Sequence, residues 1–171
     1  RDAQESRGLG DVYKRQMKCE TQADMKRVTG ARSICLDAYA TDSTGKKYDI
    51  EVQRSDIGTD PHRARYHSSM MDVENLDEKQ EYRELPDTYV IFITENGYYK
   101  AGKPVYVIQN MNLTLGKPFD DGSHILYVNG EYRDDSDIGR LMHDFNCTCA
   151  DDTPKRTVLF PANQIDVPDS P

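Results

Sequence analysis

Between Ile34 and Val52, apolar and polar residues alternate with a period of two on either side of a short turn. This is the pattern of an antiparallel strand pair with one buried face. Ser43-Thr44-Gly45 reads as a three-residue hairpin loop with Gly45 at its left-handed position. If Asp42 closes that loop against Lys46, cross-strand partners have numbers summing to 88, so Asp37 faces Glu51 and Cys35 faces Gln53. Ile34, Leu36, Ala38, Ala40, Tyr48, Ile50 and Val52 then share a face predicted to be core, and Asp37, Asp49, Glu51 and Gln53 share the other.

Downstream, Asp60-Pro61 supplies an N-cap and a proline at the first helical position, which predicts a helix to about Asn75. Tyr66, Met70 and Val73 fall at i, i+4 and i+7 as its buried stripe, with Arg63 on the same side. Thr88–Thr94 is a continuous apolar run between Pro86-Asp87 and Asn96-Gly97, the pattern of a strand buried on both faces. Strand, helix and buried strand in that order predict a right-handed parallel crossover. Further strands at Val105–Ile108 and His124–Val128 and a short helix over Ile138–Phe145 complete the elements.

The polar face of the hairpin carries the chemistry. Two carboxylates side by side repel, and one pKa rises unless a positive charge sits between them. A hard divalent cation such as Mg²⁺, which takes carboxylate and water oxygens, relieves that repulsion. A plainer reading is a solvated strand face whose acids pair with Lys46, Lys47 or Arg54.

Composition sets limits on the whole. The chain has 171 residues, enough for one domain with its own core, but only 36% are apolar, there is no Trp, and mean hydropathy is −0.82. No run approaches the length of a membrane span, and no charged segment followed by an apolar one suggests secretion, so a cytoplasmic location is expected. Cys19, Cys35, Cys147 and Cys149 read as reduced thiols rather than a disulfide framework. Residues 1–16 have no apolar period, and Asp11-Val-Tyr-Lys-Arg-Gln16 resembles translated sequencing-adaptor sequence. Pro154, Pro161, Pro168 and Pro171 mark residues 153–171 as an irregular tail. Residues of about 17–152 are therefore expected to form the domain.

Within that span six stretches occur in order: Arg32–Ala40, Asp49–Gln53, Arg63–Tyr66, Leu85–Glu95, Gly116–Phe119 and His124–Gly130. Together they resemble the PD-(D/E)XK nuclease family transposases, relatives of the recombination-promoting nucleases. The resemblance runs from about Thr21 to about Cys149. It implies an α/β fold with a restriction-endonuclease-like core, a mixed central sheet and flanking helices. It also implies Mg²⁺- or Mn²⁺-dependent endonuclease activity on DNA, associated with transposition or recombination, and it leaves room for a homodimer.

Residue by residue, the resemblance implies that Asp37 and Glu51 bind the metal, with the Val52 carbonyl as a further ligand. Gln53 stands where many members of the superfamily carry lysine; it can orient water and donate hydrogen bonds but adds no positive charge. Arg63 and Tyr66 are then candidates to reach a phosphate oxygen, against the plainer roles of pairing with Glu51 or Asp49 and of packing. The family pattern also has a helix ahead of the hairpin that adds another acid, for which Glu20 or Glu5 could be nominated. By that pattern the chain looks truncated at both ends, and a second function class stays open, a noncatalytic remnant or interaction module that keeps the fold.

Charge and the remaining motifs change this little. Net charge is −8, of which residues 101–171 contribute −5, whereas Lys46, Lys47, Arg54, His62, Arg63 and Arg65 cluster at the hairpin and the start of the helix. A basic rim around an acidic centre suits phosphodiester chemistry. His143, Cys147 and Cys149 have poor spacing for zinc. Tyr98-Tyr99 is a weak candidate for stacking on bases.

Overall fold

The computed structural model describes residues 18–25, 32–54 and 56–146. Among the described residues, eight strands occur in the order β1 (Lys18–Asp24), β2 (Cys35–Thr41), β3 (Lys47–Gln53), β4 (Thr88–Thr94), β5 (Val105–Ile108), β6 (Met111–Asn112), β7 (Lys117–Pro118) and β8 (Ser123–Asn129). Helix α1 (Pro61–Asn75) joins β3 to β4, and α2 (Asp137–Phe145) follows β8. Six strands form one mixed sheet in the order β1-β2-β3-β4-β8-β5, and β6 and β7 pair separately. β3, β4 and β8 run parallel to one another, and β1–β2, β2–β3 and β5–β8 are antiparallel. This is the predicted α/β fold with a mixed central sheet.

The hairpin has the predicted register: Ala38 lies opposite Ile50, Ala40 opposite Tyr48 and Thr41 opposite Lys47. Asp42 holds the loop. Its Oδ1 accepts from the Thr44 N–H at 2.8 Å, the Thr44 hydroxyl at 2.7 Å and the Lys46 N–H at 3.1 Å, and its Oδ2 accepts from the Tyr48 hydroxyl at 3.1 Å. Gly45, at φ 90°, takes the left-handed position that closes the turn.

On β3 the buried side differs from the expectation. The parallel register sets Asp49 beside Val90 and Glu51 beside Phe92. α1 covers that side, so that Ala64 and Met71 pack with Val90, Phe92 and Tyr127. Asp49 and Glu51 are thus the enclosed residues, while Val52 on the opposite face is 41% exposed and Ile50 is half-buried. Leu36 and Ala40 are buried as predicted, Leu36 with Met25 and Met70. Alternation separates two faces; packing against other elements decides which residues of each lose water, so β2 buries its apolar side and β3 its acids.

On α1, Met70 is buried as predicted and Tyr66 packs beside it, but the buried stripe extends toward the acids. The cap is as predicted, with Asp60 Oδ1 accepting from the His62 N–H at 2.7 Å and Pro61 in the first turn. The enclosed residues, however, are Ala64, His67, Ser68, Met70 and Met71, and Val73 is 44% exposed. The helix turns polar side chains inward because the sheet face it covers carries acids. β4 is correspondingly buried at Thr88, Val90, Phe92 and Thr94 and only half-buried at Tyr89, Ile91 and Ile93, so it is not enclosed equally on both faces.

Two further differences concern β1 and α2. Residues 18–24, which carry no recognisable helical motif, form β1 antiparallel to β2. Six of these seven residues are exposed, so backbone pairing rather than apolar burial makes the strand, and no sequence period marks it. α2 begins one residue earlier than predicted, with Ser136 capping the Gly139 N–H. The adaptor-like residues 1–16 and the tail 153–171 lie outside the described residues. Among the described residues, no helix is long and apolar enough to cross a membrane.

Candidate metal centre

Where the β2–β3 ladder ends, side chains take over from backbone pairing. The Asp37 N–H donates to Glu51 Oε1 at 3.0 Å, and the Val52 N–H donates to Asp37 Oδ2 at 3.1 Å. The two acids that the register places opposite each other are thereby fixed, each by the other's strand. Asp37 is exposed and Glu51 is 1% exposed, so the pair reaches from solvent into the sheet–helix interior. Burial pushes the Glu51 carboxyl above its ordinary range; the Asp37 N–H works the other way and the neighbouring Asp49 adds to the rise.

Arg63 meets this centre from the first turns of α1. Its Nη2 donates to Glu51 Oε2 at 2.8 Å, its Nη1 to the Gly58 carbonyl at 3.0 Å and, at the limit of hydrogen bonding, to Gln53 Oε1 at 3.5 Å. Gln53 Nε2 in turn lies 3.4 Å from Glu51 Oε2. Gly58 makes this approach feasible: a Cβ there would lie 1.9 Å from Gln53 Oε1 and 3.1 Å from Arg63 Nη1. Behind Arg63, its Nε donates to His67 Nε2 at 3.2 Å, and His67 Nδ1 is 2.8 Å from Asp49 Oδ2. Asp49 and His67 are 0% and 2% exposed, and Asp49 Oδ1 is buried without a hydrogen-bond partner.

The donor set fits a hard divalent cation. Asp37 and Glu51 offer carboxylate oxygens, and Asp37 presents its carboxylate to solvent where waters and phosphate oxygens could complete a coordination sphere. Ligand atoms of Asp49, Glu51 and His67 also lie within 4.8 Å of one another. In that inner group Asp49 and His67 are buried and bonded to each other, whereas Asp37 of the outer pair is open to solvent.

Four of the predicted site residues, Asp37, Glu51, Gln53 and Arg63, are therefore brought together. Tyr66 is not among them; its hydroxyl donates to the Arg32 carbonyl, and its ring packs beside the cluster of Met25, Leu36 and Met70. Val52 contributes its N–H to Asp37. Glu20 lies on β1 opposite Tyr39 and pairs with Lys18 at 2.8 Å. Glu5, Cys147 and Cys149 lie outside the described residues.

The expected basic rim is smaller than the sequence suggests. Lys46 pairs with Asp87 at 3.0 Å at the loop end of the hairpin, Lys47 donates to the Thr41 hydroxyl, and His62 Nδ1 lies 2.9 Å from Asp60. Tyr98 stacks on Tyr127 and Tyr99 meets it edge-on, so this pair belongs to the packing around the core. The residues that sequence reasoning missed are His67, Asp49 as its partner, and Gly58. The i, i+4 spacing of Arg63 and His67 and the shared strand face of Asp49 and Glu51 carried the signal, once the helix phase is known.

A sequence model described as PD-(D/E)XK nuclease family transposase matches residues 15–132, more than half of the chain. No curated protein and no solved structure matches the chain. The matched span takes in the acidic hairpin, the crossover helix and the parallel strands β4 and β8 that build the centre described above, and the chain belongs to the PD-(D/E)XK nuclease family transposases.

Proposed function

We propose that this protein is a divalent-metal-dependent DNA endonuclease, acting by phosphodiester hydrolysis in transposition or recombination. The observation that carries the reading is the reciprocal lock between Asp37 and Glu51, which holds two acids together at the solvent edge of the sheet. Asp37 and Glu51 would hold Mg²⁺ or Mn²⁺, with the Val52 carbonyl as a further ligand. Such an ion, when bound, lowers the pKa of its water and polarises a phosphate oxygen.

The chain's own side chains supply the rest. Gln53 orients the attacking water and donates a hydrogen bond, without the charge a lysine would bring. Arg63 steadies Glu51 and, being about one-third exposed, offers a cation near the scissile phosphate. A phosphate contact from Tyr66 would require its hydroxyl to leave the Arg32 carbonyl. Duplex DNA is the partner this reading calls for, cut in the cytoplasm, with two copies of the chain acting on two strands. The unit responsible is residues 17–152.

One observation favours the noncatalytic alternative. Glu20, nominated as an additional acid, lies on a strand and pairs with Lys18. Nicking of supercoiled plasmid in Mg²⁺ or Mn²⁺ by the protein and by its Asp37→Ala and Glu51→Ala variants separates the two. Cleavage abolished in both variants supports the nuclease; a parent that never cleaves supports the interaction module, and cleavage unaffected by either change removes the metal centre.

A further inference from the structure

We propose that His67, held by Asp49, is the positioning residue that sets the Arg63 guanidinium against Glu51 and so tunes the centre for its cation; this rests on the metal-centre reading above. A guanidinium has donors and no acceptor. The 3.2 Å contact from Arg63 Nε therefore requires a lone pair on His67 Nε2, which leaves the imidazole proton on Nδ1, donated to Asp49 Oδ2 at 2.8 Å. The direction of every hydrogen bond in the chain Asp49–His67–Arg63–Glu51 follows from that one constraint. With Nε and Nη2 engaged by His67 and Glu51, and Nη1 by Gly58, the guanidinium has its orientation fixed on three sides.

Packing alone does not account for this pair. Asp49 is wholly buried with one oxygen unsatisfied, a cost that an apolar residue beside Val90 would not incur. Ala64 and Met71 show that α1 can fill the same interface with apolar side chains. What the costly pair supplies is direction: a carboxylate that fixes a histidine tautomer, and a histidine that presents one acceptor to one arginine, as outer residues do behind metal ligands.

Long-range ¹H–¹⁵N NMR of the metal-free protein tests the constraint directly. Protonated Nδ1 and unprotonated Nε2 on His67, with a slowly exchanging Arg63 Nε–H that is lost in His67→Phe, is the expected result. A proton on Nε2 overturns the proposal. Mn²⁺ titration by calorimetry tests the consequence. His67→Phe is expected to weaken binding by about 10- to 100-fold, and His67→Gln, which keeps an acceptor for Arg63 and a donor for Asp49, to recover most of it. In an Arg63→Ala background, His67→Phe is expected to add no further loss.

Equal losses in His67→Phe and His67→Gln, additive losses with Arg63→Ala, or a parent that binds no Mn²⁺ would each overturn the proposal. A parent with the expected tautomer and Mn²⁺ affinity that never cuts DNA leaves the positioning role standing and counts against the nuclease reading alone.

Discussion

The Asp37 N–H donates to Glu51 Oε1 at 3.0 Å, so the backbone of one acid is held by the side chain of the other. Neither carboxylate can be moved without disturbing the strand opposite. Asp37→Asn keeps an acceptor for the Val52 N–H and should fold normally, yet lose metal binding. Thermal melts with Mn²⁺ at about 100 times its Kd should show roughly 2.7 kcal/mol of stabilisation in the parent and little in Asp37→Asn. Equal stabilisation of the two would move the cation away from Asp37.

Gly58 is expected to matter more for activity than for stability. In Gly58→Ala the new Cβ would overlap Gln53 Oε1, and a flexible amide can swing aside at a cost of about 1 kcal/mol. The displaced Gln53 would no longer stand beside Glu51. Cleavage should fall by at least about tenfold, the worth of one lost transition-state hydrogen bond, with Tm changed by only a few degrees. A Tm collapse with unchanged specific activity would contradict this division.

Glu51 gives the metal-free protein a pH dependence of definite sign. Its folded pKa is raised from an ordinary value of 4.5 by burial, so the folded state holds that proton more tightly than the unfolded chain. Its contribution to stability therefore falls as pH rises from below 4.5 through the raised value. Glu51→Gln carries no such proton, and its Tm relative to the parent should improve across that window. A constant Tm difference would mean that Glu51 titrates normally.

Asp42 has the opposite sign. Burial disfavours its charge, but the Thr44 hydroxyl and N–H, the Tyr48 hydroxyl and the Lys46 N–H outweigh burial and hold the carboxyl below its usual range. The stabilisation is present above an ordinary value of 3.8 and is lost as pH falls through the lowered one. Asp42→Ala removes the acceptor for four hydrogen bonds and should cost about 2 kcal/mol. Urea unfolding at pH 7 and again below pH 3 should show that difference shrinking.

Much of the fold was legible because local chemistry decides it. A loop of Ser43-Thr44-Gly45 closed by Asp42 fixes which residues face each other, and Asp60-Pro61 fixes where α1 begins. β1 was not legible, because a polar edge strand made by backbone pairing leaves no hydrophobic period. The stripe on α1 was legible only in part: Met70 is buried and Tyr66 packs with it, but Val73 is exposed, because a helix lying over acids turns Arg63 and His67 toward them.

By itself, then, the sequence determined the register that sets Asp37 opposite Glu51, the span of the crossover helix and the family resemblance, since short-range backbone geometry and residue identity carry all three. The tertiary structure alone decided that Asp49 and Glu51 are enclosed, that Gly58 lets Gln53 and Arg63 meet, and that a buried Asp49–His67 pair stands behind Arg63. Those depend on which side of a sheet a helix covers and on contacts between residues 10 to 18 positions apart, which alternation along a chain does not encode.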